Sequence, residues 1–460
     1  IPPLRWVRAS VPVGMNNAYW AEVDKLDVRA HTRQVRVPAP GTDRELAETV
    51  ARLMQVPLAQ GRPLWEYVVL TGLSSGRVAH LLRIHHGLVD GSMIPVIINL
   101  LSDRPTVAPN PRDSRAAAGG PAGRLRLAAR GVVNTAMTPV RLVVLQAKTS
   151  VFLAGRVKQD GPLFLPAYLA RMLPGTFAKP LTAVINGQQR LFGRPEVKSV
   201  VPVVRAPKSP FNGKVTQRRA FAFGEVPLHE VKAVAKTNGA TLNDVVVSCC
   251  AGALRRYLLS TSEVPQEPLI VCIPYSVRGD DDKQPWANHV TTIFAELPTN
   301  VEDPLQQLRL VREEVKSARE NVEALPTHLL REASNLIPQT FWKLSVKLMA
   351  KAPDWMPGAS WNVVVANVRG PVRPLDLTGA RAAGLWPVAF LTPGVGLNVT
   401  LQSYTDRLCF GFMGCPDLLA DLSPLPGYLI DALGDLAAAS GVLNTAPEPR
   451  PQPAHPHQAS

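Results

Sequence analysis

The chain has 460 residues, 46% of them hydrophobic and 19% charged, which is enough apolar material for a large core in two or three domains and excludes wholesale disorder. Its 32 Gly and 44 Pro follow no period, so collagen-like and low-complexity classes fall away and Pro-rich loops remain. The formal net charge of +14 is uneven: residues 101–200 hold 15 Lys and Arg against 4 Asp and Glu, leaving an excess of only 3 for the other 360.

Basicity confined to one region suits nucleic acid, an anionic membrane surface, or a phosphate-bearing small molecule such as coenzyme A. From Arg112 to Lys148 there is no Phe, Tyr or Trp to stack on a base, so nucleic acid is not an expected partner. The most apolar stretch, Gly131 to Ala147, is broken by Asn134, Thr138, Pro139 and Arg141, and no spanning helix is expected. The opening Ile-Pro-Pro-Leu-Arg does not read as a signal peptide. Cys249, Cys250, Cys272, Cys409 and Cys415 form no Cys-x-x-Cys pair and read as reduced core thiols, so no metal or other cofactor is assigned.

In chain order, Thr32 to Val37 has the period of a strand. Asp43 to Met54 places Leu46, Val50, Leu53 and Met54 at helical spacing. Trp65 to Thr71 and Arg77 to Ile84 read as strands around a Gly-Leu-Ser-Ser-Gly turn, followed by the apolar run Ile94 to Leu101. Residues 102–199 form a basic Pro/Arg-rich linker whose Leu/Val clusters, with Arg124, Arg126, Arg130, Arg141 and Lys148, predict proline-kinked amphipathic helices. A second α/β block spans 200–444. Its strands are expected over Arg218 to Phe223, Pro268 to Pro274, Val290 to Leu297, Trp361 to Asn367, Gly396 to Gln402 and Leu408 to Gly414. Its helices are expected over Pro227 to Asn238, Thr241 to Leu259, Asp303 to Ala318 and Thr340 to Ala350. On the last, Lys343, Lys347 and Lys351 share one face. Both hairpin-like and helix-linked connections occur, which predicts sheets of mixed direction. The Pro- and His-rich tail, 445–460, predicts disorder.

The chemistry concentrates in Ile84-His85-His86-Gly87-Leu88-Val89-Asp90-Gly91-Ser92, between a strand and an apolar helix. One imidazole can serve as a general base near neutral pH, and the short carboxylate can hold the turn. Strand neighbours point to opposite faces, so only one of the two histidines faces a given cleft. Two ordinary histidines beside a turn is the alternative; a helical zinc site lacks its His-Glu-x-x-His spacing.

The HHxxxDG pattern of His85, His86, Asp90 and Gly91 resembles the signature of acyltransferases with the chloramphenicol acetyltransferase fold, which include peptide-synthetase condensation domains. Arg62-Pro63-Leu64-Trp65-Glu66 upstream, Asn243-Asp244 at a helix start and Asn367-Val368-Arg369-Gly370-Pro371 after a strand narrow the likeness. Together they resemble the bacterial wax ester synthase/diacylglycerol acyltransferase family, the actinobacterial triacylglycerol synthases in particular, over about residues 1–440. Arg369 stands where proline is commoner in that family.

The resemblance implies an α/β fold of two chloramphenicol acetyltransferase-like subdomains, 1–101 and 200–444, with mixed sheets, a basic helical linker and an active-site channel between them. It also implies a further strand and helix ahead of Ile1 in the first subdomain. The implied substrates are acyl-CoA and a diacylglycerol or long-chain alcohol, and the implied site is a cytoplasmic membrane face or lipid-droplet surface. His86 is expected to take the acceptor's proton without an acyl-enzyme. The Asn243 amide is expected to donate to the oxyanion, with a role as N-cap of its helix as the alternative. His85 and Asp90 are expected to support His86, and Asp244 to cap its helix or pair with a base. Gly91 turns the chain, while Pro63, Leu64 and Trp65 are expected in packing and strand entry. Two other readings are a condensation-like enzyme using a carrier-bound acyl donor and a non-catalytic protein of lipid surfaces.

Overall fold

The computed structural model describes residues 1–9, 19–89, 91–105, 132–133, 136–161, 164–172, 175–191, 197, 206–276, 290–323 and 359–442. Most of the stretch between 102 and 131, with Arg124, Arg126 and Arg130, lies outside them. So do the helix expected over Thr340 to Ala350 and the tail from Thr445.

In the first lobe β1 (Trp6–Ala9) and β2 (Tyr19–Glu22) form an antiparallel pair that periodicity did not predict. β3 (Thr32–Arg36) begins the main sheet of this lobe. α1 (Asp43–Gln55) opens with a capping box: the Thr42 N–H and hydroxyl both donate to the Glu45 carboxylate, at 2.8 and 2.6 Å. β4 (Trp65–Thr71) pairs parallel with β3 and antiparallel with β5 (Ala79–Ile84). The α1 stripe of Ala47, Val50, Ala51 and Leu53 covers Val68, Leu70 and Leu81 of this sheet and also meets Phe221 and Met413 from the second lobe. One apolar cluster therefore belongs to both lobes. After β5 the chain passes through a single 3-10 turn, Gly91–Met93, into α2 (Ile94–Leu101).

Three helices follow: α3 (Thr138–Asp160), α4 (Phe164–Met172) and α5 (Gly175–Leu191). Pro139 sits in the first turn of α3, where its missing N–H is harmless, so α3 runs on past it to Asp160, whereas Pro180 is internal to α5. α3 buries none of its residues.

The second lobe is a six-stranded mixed sheet with helices on one face. Its elements are β6 (Ala220–Pro227), α6 (Leu228–Thr237), α7 (Leu242–Thr261), β7 (Leu269–Ser276), β8 (Val290–Leu297), α8 (Pro304–Glu323), β9 (Val363–Val368), the short hairpin β10 (Asp376–Leu377) and β11 (Ala380–Arg381), β12 (Leu397–Tyr404), β13 (Arg407–Gly414) and α9 (Leu425–Ala439). The strand order is β6-β13-β12-β9-β7-β8, with β9 parallel to both β12 and β7 and the other pairs antiparallel. Val271, Ile273, Val363, Val365, Leu397, Val399 and Leu401 face the helices, where α7 contributes buried residues on every side. The intervening residues face the other way, toward the first lobe. The Asp103 carboxylate, just beyond α2, accepts the N–H groups of Thr378 and Gly379 in the β10–β11 turn at 3.0 and 2.7 Å and fastens the lobes a second time.

Glu66 on β4 accepts from Arg33 at 2.7 Å and from Arg83 at 2.5 Å, and Arg83 is 8% exposed. Burial acts to raise the Glu66 pKa, but the two guanidinium groups outweigh it and hold the carboxyl below the usual carboxylate range. Glu66→Gln leaves the Arg83 charge without its counter-charge, and a loss of about 3 kcal/mol in denaturant unfolding at pH 7 is expected. Because the folded-state pKa is depressed, this contribution is present above the unfolded pKa and is lost as pH falls through the carboxylate range. The gap between wild type and variant is therefore expected to narrow in acid.

Candidate active site

β5 ends at Ile84, and the two histidines stand on the turn that follows. The turn is tied at both sides. The His85 N–H donates to the Leu64 carbonyl at 2.9 Å, and the Gly87 N–H donates to His85 Nδ1 at 3.0 Å. With Nδ1 accepting, the His85 proton sits on Nε2. Desolvation, then the charge of Arg8, holds this imidazole below its ordinary pKa, so it braces the turn in its neutral form. The ring meets Trp20 edge-on, with centroids 6.3 Å apart.

His86 goes elsewhere. Its ring packs on Phe390 of the second lobe, centroids 5.0 Å apart and planes tilted by 43°. Adjacent histidines thus serve different lobes. Asp90 lies outside the described residues. A Cβ on Gly91 would stand 3.3 Å from the Val368 side chain, at the end of β9, tighter than ordinary van der Waals contact, so the bare Cα suits the close approach of the turn to the second sheet. Leu88, Val89, Met93 and Ile97 anchor the segment in a core shared with Leu64.

The face of the second sheet beneath this segment carries a polar row. Asn398, Thr400 and Gln402 alternate with the helix-facing Leu397, Val399 and Leu401 on β12, and all three are buried. Asn398 donates to the Phe390 carbonyl at 3.1 Å and accepts from the Thr400 hydroxyl at 2.9 Å. The residue that touches His86 is therefore held from below by a buried amide. Gln402 lies level with Val368, the contact of Gly91. The sequence reading missed Phe390 and this row. An Asn-x-Thr-x-Gln alternation inside an otherwise apolar strand was the available signal.

Pro63, Leu64 and Trp65 are buried beside the motif. Trp65 stacks on His31, centroids 4.4 Å apart, and its indole N–H donates to the Leu4 carbonyl at 2.7 Å; Leu64 supplies the carbonyl that holds His85. In α7 the cap is Thr241 and not Asn243. The Asp244 carboxylate accepts the Thr241 N–H at 2.8 Å, and the Thr241 hydroxyl accepts the Asp244 N–H at 3.2 Å. This reciprocal pair satisfies the helix start and leaves Asn243, the second helical residue, half-buried with no hydrogen bond from its side chain among the described residues.

The position of Asn243 follows from packing. Arg255 near the end of α7 bonds the Thr299 carbonyl just before α8, so the two helices run antiparallel, and the α8 end carries Glu323 bonded to Tyr275 at the end of β7. The start of α7 accordingly sits at the edge of the sheet where β7 and β9 end, the edge at which Gly91 meets Val368.

All five cysteines are buried and free. Burial pushes Cys249 and Cys272 up to about 12 and Cys409 up to about 11, far from a thiolate nucleophile at neutral pH. Among the described residues no cluster of His, Cys, Asp and Glu would hold a metal ion.

Two α/β lobes with an HHxxxDG turn laid across their junction define an acyltransferase architecture. Two family models match the chain: the wax ester synthase/diacylglycerol acyltransferase catalytic domain over residues 1–246 and the WS/DGAT C-terminal domain over 286–437. A Mycobacterium tuberculosis protein named as a diacylglycerol O-acyltransferase is 31% identical over 440 residues, covering 95% of this chain and 80% of the relative. Another from that organism, named tgs2, is 30% identical over 443 residues, covering 96% and 88%. The solved wax ester synthase/diacylglycerol acyltransferase from Marinobacter aquaeolei VT8 superposes with a TM-score of 0.59 at 25% identity, covering 95% of this chain and 86% of that one. The chain belongs to the wax ester synthase/diacylglycerol acyltransferase family and is an acyltransferase of the two-lobed, chloramphenicol acetyltransferase-like fold.

A methyl group at Gly91 crowds the Val368 side chain, and the turn or Val368 must give by a few tenths of an ångström. Gly91→Ala is expected to lower kcat for acyl transfer about tenfold, because sub-ångström displacement of a reacting group is enough for losses of that order. Adding Val368→Ala, which clears the space, is expected to restore part of the rate in the same assay.

Proposed function

We propose that this enzyme transfers a long-chain acyl group from acyl-CoA to the free hydroxyl of diacylglycerol, with long-chain alcohols as a second class of acceptor. The observation that carries the reading is the His86 ring held on Phe390 at the junction of the lobes, on a turn tied down at His85 and Gly91. His86 takes the acceptor's proton as its oxygen attacks the thioester carbonyl. The C–O bond forms, the tetrahedral oxyanion collapses, the C–S bond breaks, and the proton passes from His86 to the departing coenzyme A sulfur. No acyl-enzyme is required, which agrees with the thiols of Cys249, Cys250, Cys272 and Cys409, whose burial raises their pKa. Asn243, whose amide the Thr241–Asp244 cap leaves unused, is the proposed donor to the oxyanion, with the positive end of α7 beside it. Such a donor is worth about 3 kcal/mol of barrier.

The enzyme's substrates dissolve in lipid, and α3 is a suitable docking element. Val140, Val143, Val144 and Val151 recur at helical spacing on one side and are 50%, 66%, 47% and 74% exposed, while the opposite side packs Phe152 against Phe164 of α4. Arg141 and Lys148 flank the exposed stripe. An apolar stripe with flanking cations is the pattern of a helix lying in the interface of an anionic membrane or droplet. Among the described residues no helix is long and apolar enough to cross a membrane.

Purified protein given radiolabelled palmitoyl-CoA and dioleoylglycerol is expected to form triacylglycerol with release of coenzyme A. His86→Ala is expected to lower turnover by 10²–10⁴, the usual share of a general base, with unchanged thermal unfolding. Full activity in that variant removes the proposed base; no release with dioleoylglycerol or hexadecanol removes the acyl-CoA reaction.

Val143→Glu with Val151→Glu is expected to cut binding to anionic vesicles containing dioleoylglycerol about tenfold in a flotation assay. Turnover of a short-chain, water-soluble acceptor should not change.

A further inference from the structure

Within the polar row of β12 the three side chains are not equivalent. Asn398 and Thr400 satisfy one another and the Phe390 carbonyl. Gln402 is 4% exposed, and its Nε2 has no hydrogen-bond partner among the described residues. A buried, unmet donor costs about 1–3 kcal/mol, so a fold that retains one at a reaction site points to a ligand that supplies the acceptor. The surroundings leave room for little else. Gln402 lies level with Val368, which Gly91 nearly touches, and its Cγ stands 3.1 Å from where a Cβ on Gly370 would be. Its other cross-strand neighbour, Cys409, belongs to the apolar cluster of Leu375, Tyr404 and Trp386, and the Trp386 indole N–H is a second buried donor without a partner among the described residues. Beyond Cys409 in the same row, on β6, Glu225 adds a buried carboxylate oxygen, so the donors nearest Gln402 are its own amide and the Trp386 indole.

We infer that Gln402 reads the acyl acceptor, its side-chain amide donating to an ester carbonyl of the glyceride. An ester carbonyl accepts and cannot donate, which matches an orphan N–H. Diacylglycerol carries two such carbonyls within a few bonds of its reacting hydroxyl, and the turn that lies over Gln402 at Gly91 is the one that presents His86. A long-chain alcohol carries none. The inference rests on the acyl-acceptor reading above and adds the feature by which the site tells a glyceride from a simple alcohol.

The test compares 1,2-dioleoylglycerol with 1,2-di-O-oleylglycerol, which keeps the hydroxyl and both chains but has no ester carbonyl. Wild-type enzyme is expected to favour the ester in kcat/KM about tenfold, the worth of one buried hydrogen bond. Gln402→Met, which keeps the length of the side chain, is expected to abolish that preference by raising KM for the ester alone. The ether kinetics and the KM for palmitoyl-CoA should hold, and Tm should not fall, because the variant removes an unmet polar group. A wild type active on both acceptors without preference overturns the inference alone, whether or not the variant folds. So does a Gln402→Met enzyme that keeps the preference, or one that loses both reactions equally, which would assign the amide to the thioester oxygen or to folding. A wild type inactive on both overturns the acyl-transfer reading itself.

Discussion

The junction between the lobes rests on apolar contact made by α1. Its Val50 and Leu53 share one core with Val68 and Leu70 of the first sheet and with Phe221 and Met413 of the second. Burial of this kind is non-directional and strong, at about 25 cal/mol per Å² of apolar surface, so it fixes how close the lobes lie without demanding polar groups at the seam. Polar groups are thereby left free for chemistry further along the same face, where His86, Gly91 and the β12 row meet.

A sheet buried on both faces normally alternates apolar residues with other apolar residues. β12 departs from that rule on the side toward the first lobe, and each departure has a consequence. Asn398 reaches the backbone of Phe390 and so sets the height of the ring on which His86 rests. Thr400 completes Asn398. Gln402 is left over. Buried polar networks rigidify a site when every member is satisfied, and an unsatisfied member marks the place where something other than protein is expected. The helical face of the same strand, with Leu397, Val399 and Leu401, contains no such exception.

The charge distribution follows the same division of labour. The excess of Lys and Arg lies between the lobes' strands in sequence, the region that includes α3 with its valines outward, whereas in the first lobe Glu66 pairs with the buried Arg83 and the exposed Arg33 across the sheet. A cation buried against a sheet needs a carboxylate in contact, whereas exposed cations keep their hydration.

Much of this was readable from local pattern. Period-two alternation located β3, the Asp43 to Met54 stripe located α1, and the Asn-Gly pair that ends α6 does so with Gly239 at a φ of 57°, a conformation open to glycine. The HHxxxDG segment and its neighbours were visible because they are contiguous and because cap, turn and strand-end preferences act within a few residues. β1, β2 and α9 were not assigned: four-residue strands carry too short a period, and α9 has too few polar residues facing out to mark a stripe. The choice of Thr241 over Asn243 as cap is also local, a Thr-x-x-Asp capping box three residues long, but the seating of His86 on Phe390 and the unmet amide of Gln402 depend on residues up to several hundred positions apart. Local propensity acts along the chain and was legible there, whereas these contacts arise only when two sheets are pressed together, and the tertiary structure alone decides which side chains then face each other.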